Sequence, residues 1–179
     1  MELEPKNFYK ILAPRPAVLI STIDREGRAN AAPFSFVMPV STSPPLVAAA
    51  FAPGRHTLLN IRETKEFVVN IPPRKLLDRL WKCSKSFPRG TSEITESGLK
   101  ERKSNIVKPV KIEGCIGWFE CRLWDEKDVG DHVLVIGEVL GAEVEEGLMK
   151  DGNLDVEKAK PLMHIGGRDF AVPGKVINP

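Results

Sequence analysis

The chain has 179 residues, 42% of them apolar, enough for one medium domain with a sizeable core. Lys plus Arg number 26 against 24 acids, and a net charge of +2 supports neither nucleic acid nor an anionic membrane as a partner. The longest unbroken apolar run, residues 46–52, is far too short to span a bilayer.

The first residues, "MELEPKNFYKILAPR", carry acids where a secretory signal would be basic, with no apolar core behind them, so a cytoplasmic protein is expected. Three cysteines, Cys83, Cys115 and Cys121, fit a reducing compartment. On one straight strand Cys115 and Cys121 would stand about 20 Å apart, at ~3.3 Å per residue, so plain packing is expected rather than a metal or a disulfide. Glutamine is absent, a depletion of thermolabile amides that points toward thermophily.

Residues 15–24 are rich in β-branched side chains and close on "DREG", where Gly27 can take positive φ. Residues 28–36, "RANAAPFSF", return as a second strand and complete a hairpin. "STSPP" (41–45) breaks the chain, and residues 46–51 form a third strand. From 53 to 66 the period changes. Leu58, Leu59 and Ile61 make an apolar stripe with Arg62, Glu63 and Lys65 toward water, which reads as a helix.

Residues 67–71 read as a strand, and 74–84 as a second helix with Leu76, Leu77, Leu80 and Trp81 on one face. Residues 85–108 are polar and turn-rich, expected as a long surface excursion. Over 112–126, Cys115, Gly117, Phe119 and Cys121 face one way, Glu120 and Arg122 the other. Residues 130–146 are apolar on both faces from Val133 to Leu140, as in a central strand. The tail, 161–176, reads as irregular. The pattern lacks βαβ alternation; it describes a mainly β protein, a β-barrel with short helical insertions, in a single domain over residues 1–179.

The chain has no G-x-G-x-x-G, Walker loop, G-x-S-x-G elbow or H-E-x-x-H. His56, His132 and His164 lie far apart without a second ligand at metal spacing, so no metal is expected. "PGRHT" (53–57) is more informative. It sets Gly54, Arg55 and Thr57 where a helix begins, and free amides, helix dipole, cation and hydroxyl would together cradle a phosphate. The alternative is that Thr57 caps the helix and Arg55 is solvated. Small side chains at Ala31 and Ala32 would let a planar group lie against the main chain. Pro33, lacking an N–H, marks an edge or a bulge. A tight sheet crossing inside a barrel explains the same residues.

In order, "RPAVLISTIDREGRANAAPFSFVMPVSTSPPLVAAAF", "RHTLLNIRETKEFVVNI", "GDHVLVIGEV" and "HIGGRDF" resemble the flavin reductase-like, FMN-binding split-barrel family, in its flavoredoxin and archaeal ferric reductase branch. The resemblance runs from Arg15 to Phe170. It implies a homodimeric split barrel with FMN near the subunit interface. Asn30, Ala31, Ala32, Pro33, Phe34, Ser35 and Phe36 would line the flavin, chiefly through backbone atoms and the Ser35 hydroxyl. Arg55, His56 and Thr57 would hold the phosphate or ribityl chain, and Lys85 would supply a cation. His132 and Phe170 would approach the ring, His132 as a modulator. No side chain is required as a catalyst, since the chemistry resides in the flavin. The implied activity is an oxidoreductase passing electrons from NADH or NADPH through FMN to free flavin, ferric chelate or a redox protein partner. The alternatives are an FMN electron carrier without direct NAD(P)H oxidation, and a storage or sensor module on the same fold.

Overall fold

A computed structural model describes residues 1–88 and 90–179. After a 3-10 segment at Pro5–Lys10 come β1 (Arg15–Pro16), β2 (Val18–Ile23), β3 (Ala29–Phe34), β4 (Val37–Thr42) and β5 (Pro45–Phe51). Then follow α1 (His56–Thr64), β6 (Glu66–Ile71), α2 (Leu77–Cys83) and α3 (Glu93–Glu96). The second half holds β7 (Glu101–Arg102), β8 (Lys111–Ile112), β9 (Gly117–Val129) and β10 (His132–Val144). It ends in β11 (Met149–Lys150), β12 (Asn153–Leu154), α4 (Val156–Ala159), β13 (Met163–Gly166) and β14 (Asp169–Ala171).

The main sheet has the order β3-β2-β6-β9-β10-β5-β4, with every ladder antiparallel. Its two edge strands, β3 and β4, are neighbours in the chain, separated only by Ser35 and Phe36. Three Cα steps of ~3.8 Å bring those edges within about 11 Å of each other at that point, so the sheet must curl almost to closure. This is a split barrel, mainly β, and the chain itself bridges the seam.

Period-two alternation gives the barrel two cores. On β2, Val18 and Ile20 enter the barrel with Phe51, Phe67 and Val135, while Leu19 packs outside with Val68 and Trp118. α1 sends Leu58 and Ile61 into the barrel, and α2 and α3 cover the outer cluster with Leu80 and Ile94.

Several expectations change. Residues 85–108 are not merely a surface excursion, because Glu93, Ile94, Leu99 and Val107 are buried. The irregular tail contains β13 and β14, which join β1 in a second, three-stranded sheet. Cys115 precedes β9, across a turn at Gly114, and packs in the outer core, whereas Cys121 lies inside the barrel. The two face different ways, and burial pushes the Cys115 thiol up to about 12.

An ionic network fastens residues 101–112 to the sheet. Lys111, 2% exposed, meets Glu120 at 2.7 Å and Glu143 at 2.6 Å. Glu120 also accepts from the amides of Asn105, Ile106 and Val107 at 3.1, 2.6 and 3.0 Å. Burial raises the Glu120 carboxyl, but Lys111 and those amides outweigh it and hold it down to about 2.

Gly137 of β10 lies opposite a bulge of β9 at Trp124, and a Cβ there would overlap the Phe67 ring and lie 3.3 Å from the Cys121 Cβ. Gly137→Ala is therefore expected to cost ~2 kcal/mol, which lowers Tm by about 4–8 °C in a chain of this size. An unchanged melting curve would show that the Phe67 ring yields freely.

Candidate functional site

The seam opens into a cleft of about 530 Å³, within the range of small-molecule sites. β3 forms one wall. Asn30, Ala32 and Phe34 share its cleft side, while Ala31, fully buried, points into the outer core. Only one of the two adjacent methyls therefore makes room in the cleft. β3 is an edge strand, as Pro33 signalled. The Asp24 amide donates to the Arg28 carbonyl at 3.1 Å, and alternation from there turns the main chain of Ala31 and Pro33 toward the free edge. Pro33 has no N–H and the Ala31 amide is taken by Asn30 Oδ1 at 2.8 Å. The free edge thus offers carbonyls, and fresh amides begin only at Ser35. Ala50 and Ala52, at the end of β5, keep the opposite wall low.

At one end stands the N-terminus of α1. Gly54 turns with φ +74°, Arg55 is the N-cap residue without a side-chain capping bond, and Leu59 makes the first helical bond, to the Arg55 carbonyl at 3.1 Å. The amides of His56, Thr57 and Leu58 have no acceptor among the described residues, nor does the Thr57 hydroxyl. Thr57 is not a cap but the second helical residue, buried beside the cleft. Three free amides, a helix dipole and an exposed Arg55 could together hold a phosphate. Lys85 is exposed on the far lip.

At the other end lie aromatic rings. Phe36 is 5.9 Å from the His132 ring and 6.1 Å from Tyr9. His132 Nδ1 lies 2.7 Å from Asp131 Oδ1, a bond that holds the Asp131 carboxyl below its usual range. Tyr9 belongs to the N-terminal segment, which Arg15 ties down by donating to the carbonyls of Tyr9, Leu12 and Ile165 at 2.5, 2.6 and 3.2 Å. His164 Nε2 faces the Gly167 carbonyl at 3.3 Å and must carry the hydrogen. In the neutral ring Nδ1 then accepts from the Ser35 hydroxyl at 3.0 Å, leaving that oxygen's lone pairs to the cleft. Phe170 is not on the cleft wall. It stands in an adjoining pocket of about 160 Å³ with Trp81 and His164.

Of the residues singled out from sequence, Asn30, Ala32, Pro33, Phe34, Ser35, Phe36, Arg55, His56, Thr57, Lys85 and His132 converge on this one cleft. Sequence reasoning missed Tyr9, Arg15, Cys83, Glu93 and His164 there. The run "VAAAFA" signalled the low wall of Ala50 and Ala52; nothing local marks Glu93. Among the described residues no group of three or more His, Cys, Asp or Glu could hold a metal. No helix is long and apolar enough to cross a membrane.

Residues 11–172 match the family model of the flavin reductase like domain. The chain is 39% identical over 167 residues to an uncharacterized protein of Methanothermobacter thermautotrophicus, covering 89% of this chain and 79% of that one. It is 31% identical over 147 residues to a flavin reductase of Pseudomonas putida, covering 80% and 82%. The crystal structure of nitrilotriacetate monooxygenase component B from Bacillus cereus superposes with a TM-score of 0.89 at 26% identity, covering 99% of this chain and 95% of that one. Split barrel, seam cleft and sequence together place the chain in one family: it belongs to the flavin reductase-like domain proteins.

Proposed function

We propose that this is an FMN-dependent oxidoreductase that takes electrons from NADH or NADPH and delivers them to free flavin, a ferric chelate or a redox protein. The observation that carries this reading is the unpaired N-terminus of α1 in a cleft that is also lined by the rings of Tyr9, Phe36 and His132. His56, Thr57 and Leu58 amides with Arg55 would take the phosphate. The low wall of Ala32, Ala50 and Ala52 leaves space for the ring, and the Ser35 amide and hydroxyl are at hand for its polar edge. When bound, FMN supplies the hydride- and electron-accepting centre. The protein's own share is orientation and exclusion of water, with Tyr9 and Phe36 shading the site and the His132–Asp131 pair on the approach side.

The same reading includes a homodimer. Met38 and Val40 are exposed on the edge strand β4, and Phe36 just before it. Beside them lie exposed Phe8, Ile11 and Leu12, in the segment whose Tyr9 packs on Phe36. A second copy would cover this apolar face and close the cleft mouth.

Purified protein is expected to be yellow, or to become so with added FMN, and to bleach anaerobically on titration with NADH or NADPH. A flavin that stays oxidised until a partner reductase is added would make the protein an electron carrier instead. Failure to bind FMN at all would defeat both.

A further inference from the structure

Glu93, on α3, lies on the cleft wall with 7% of its surface exposed, and its Oε2 has no hydrogen-bond partner among the described residues. Its Oε1 is 3.8 Å from Nδ1 of His56, the first residue of α1, so this carboxyl borders the phosphate cradle. No donor close by reaches the carboxyl, and the buried Ser92 hydroxyl next to it is likewise without a partner among the described residues. The Ser97 hydroxyl donates to the Glu93 carbonyl at 2.6 Å, and the Cys83 thiol approaches the same carbonyl at 3.5 Å. Burial pushes the Glu93 carboxyl up, with the nearby His56 pulling the other way. A buried acceptor left without a donor is costly, and such groups in folded proteins have a reason.

The neighbourhood restricts what can satisfy it. A phosphate in the α1 cradle presents only acceptors and negative charge, and would repel a carboxylate. The ring belongs at the far, aromatic end. Between phosphate and ring a flavin nucleotide carries a chain of neutral hydroxyls, the donors this carboxyl lacks. We infer that Glu93 is a specificity-determining residue that accepts a hydrogen bond from a hydroxyl of the ligand's polyol chain, so that the cleft selects flavins bearing that chain over the bare ring. The inference rests on the FMN reading above.

Flavin-fluorescence titrations of the full chain with FMN, riboflavin and lumiflavin separate the contributions, since riboflavin lacks the phosphate and lumiflavin lacks the chain as well. Glu93→Met keeps the side-chain size but accepts no strong hydrogen bond. It should weaken FMN and riboflavin by the same factor, about tenfold for a lost bond to a charged group, and leave lumiflavin unchanged. Glu93→Gln, which retains an acceptor oxygen, should recover part of that loss even if the Met variant folds poorly. Arg55→Ala should weaken FMN alone. Equal weakening of lumiflavin would reduce Glu93 to a packing role and overturn the inference, as would unchanged riboflavin binding. If wild-type protein binds none of the three, the flavin reading itself fails; if it binds all three and Glu93→Met matches it, only the role of Glu93 does.

Discussion

Ala32→Phe is expected to reduce FMN affinity by at least about a hundredfold, or ~2.7 kcal/mol, with little change in thermal stability. Ala32 pairs with Ile20 on an edge strand, belongs to neither core, and has its methyl on the cleft side. A benzyl group there enters the cleft rather than the protein interior, and phenylalanine suits an extended backbone. The neighbouring substitution Ala31→Phe should do the reverse. Ala31 has no exposed surface and sits in the outer core beside Leu19 and Val68, so overpacking would cost ~1–3 kcal/mol or prevent folding. Isothermal titration with FMN, alongside thermal melts, reads both effects. Undiminished binding by the Ala32 variant would mean that the planar group lies elsewhere.

Lys111→Met is expected to be strongly destabilising. It removes the cation from between Glu120 and Glu143 and leaves Glu120, 3% exposed, with amide donors alone. Breaking a buried pair from one side costs ~3–5 kcal/mol, or about 6–20 °C of Tm at this chain length. The pH dependence gives the network a signature. Glu120 is held at about 2 in the folded chain against 4.5 for an ordinary glutamate. The folded state therefore binds fewer protons than the unfolded one between those values. The stability Glu120 contributes is complete above about pH 4.5 and drains away as pH falls toward 2. The Tm gap between wild type and variant should thus be widest near neutrality and narrow progressively in acid. A gap constant from pH 7 to pH 3 would assign the loss to packing rather than charge.

Much of the barrel was legible because its signals are local. Alternation, β-branched runs and turn glycines gave β2, β3, β5, β6, β9 and β10. β4 was hidden by the exposed Met38, Pro39 and Val40, whose apolar face is unlike an ordinary solvated edge. β13 and β14 are three or four residues long and owe their order to β1, a partner distant in sequence. The buried parts of residues 85–108 looked polar because single apolar anchors, Ile94, Leu99 and Val107, stand among charged and turn residues without a period, and their burial comes from α2 and the outer face of the sheet. The site was legible where small residues and a helix start coincide, at Ala32 and "PGRHT". It was illegible where tertiary folding delivers a residue, as α3 delivers Glu93 and the three-stranded sheet delivers His164.

The two-residue bridge between Phe34 and Val37 ties the dimensions of the cleft to the closure of the barrel. A surface turn can lengthen without consequence, but this one cannot. One inserted residue would invert every later side chain of β4, sending Val37 and its barrel contacts to water and Met38 inward. In this architecture, diversification of the ligand site must proceed by exchanging side chains at fixed spacing, never by changing the count of residues along that wall.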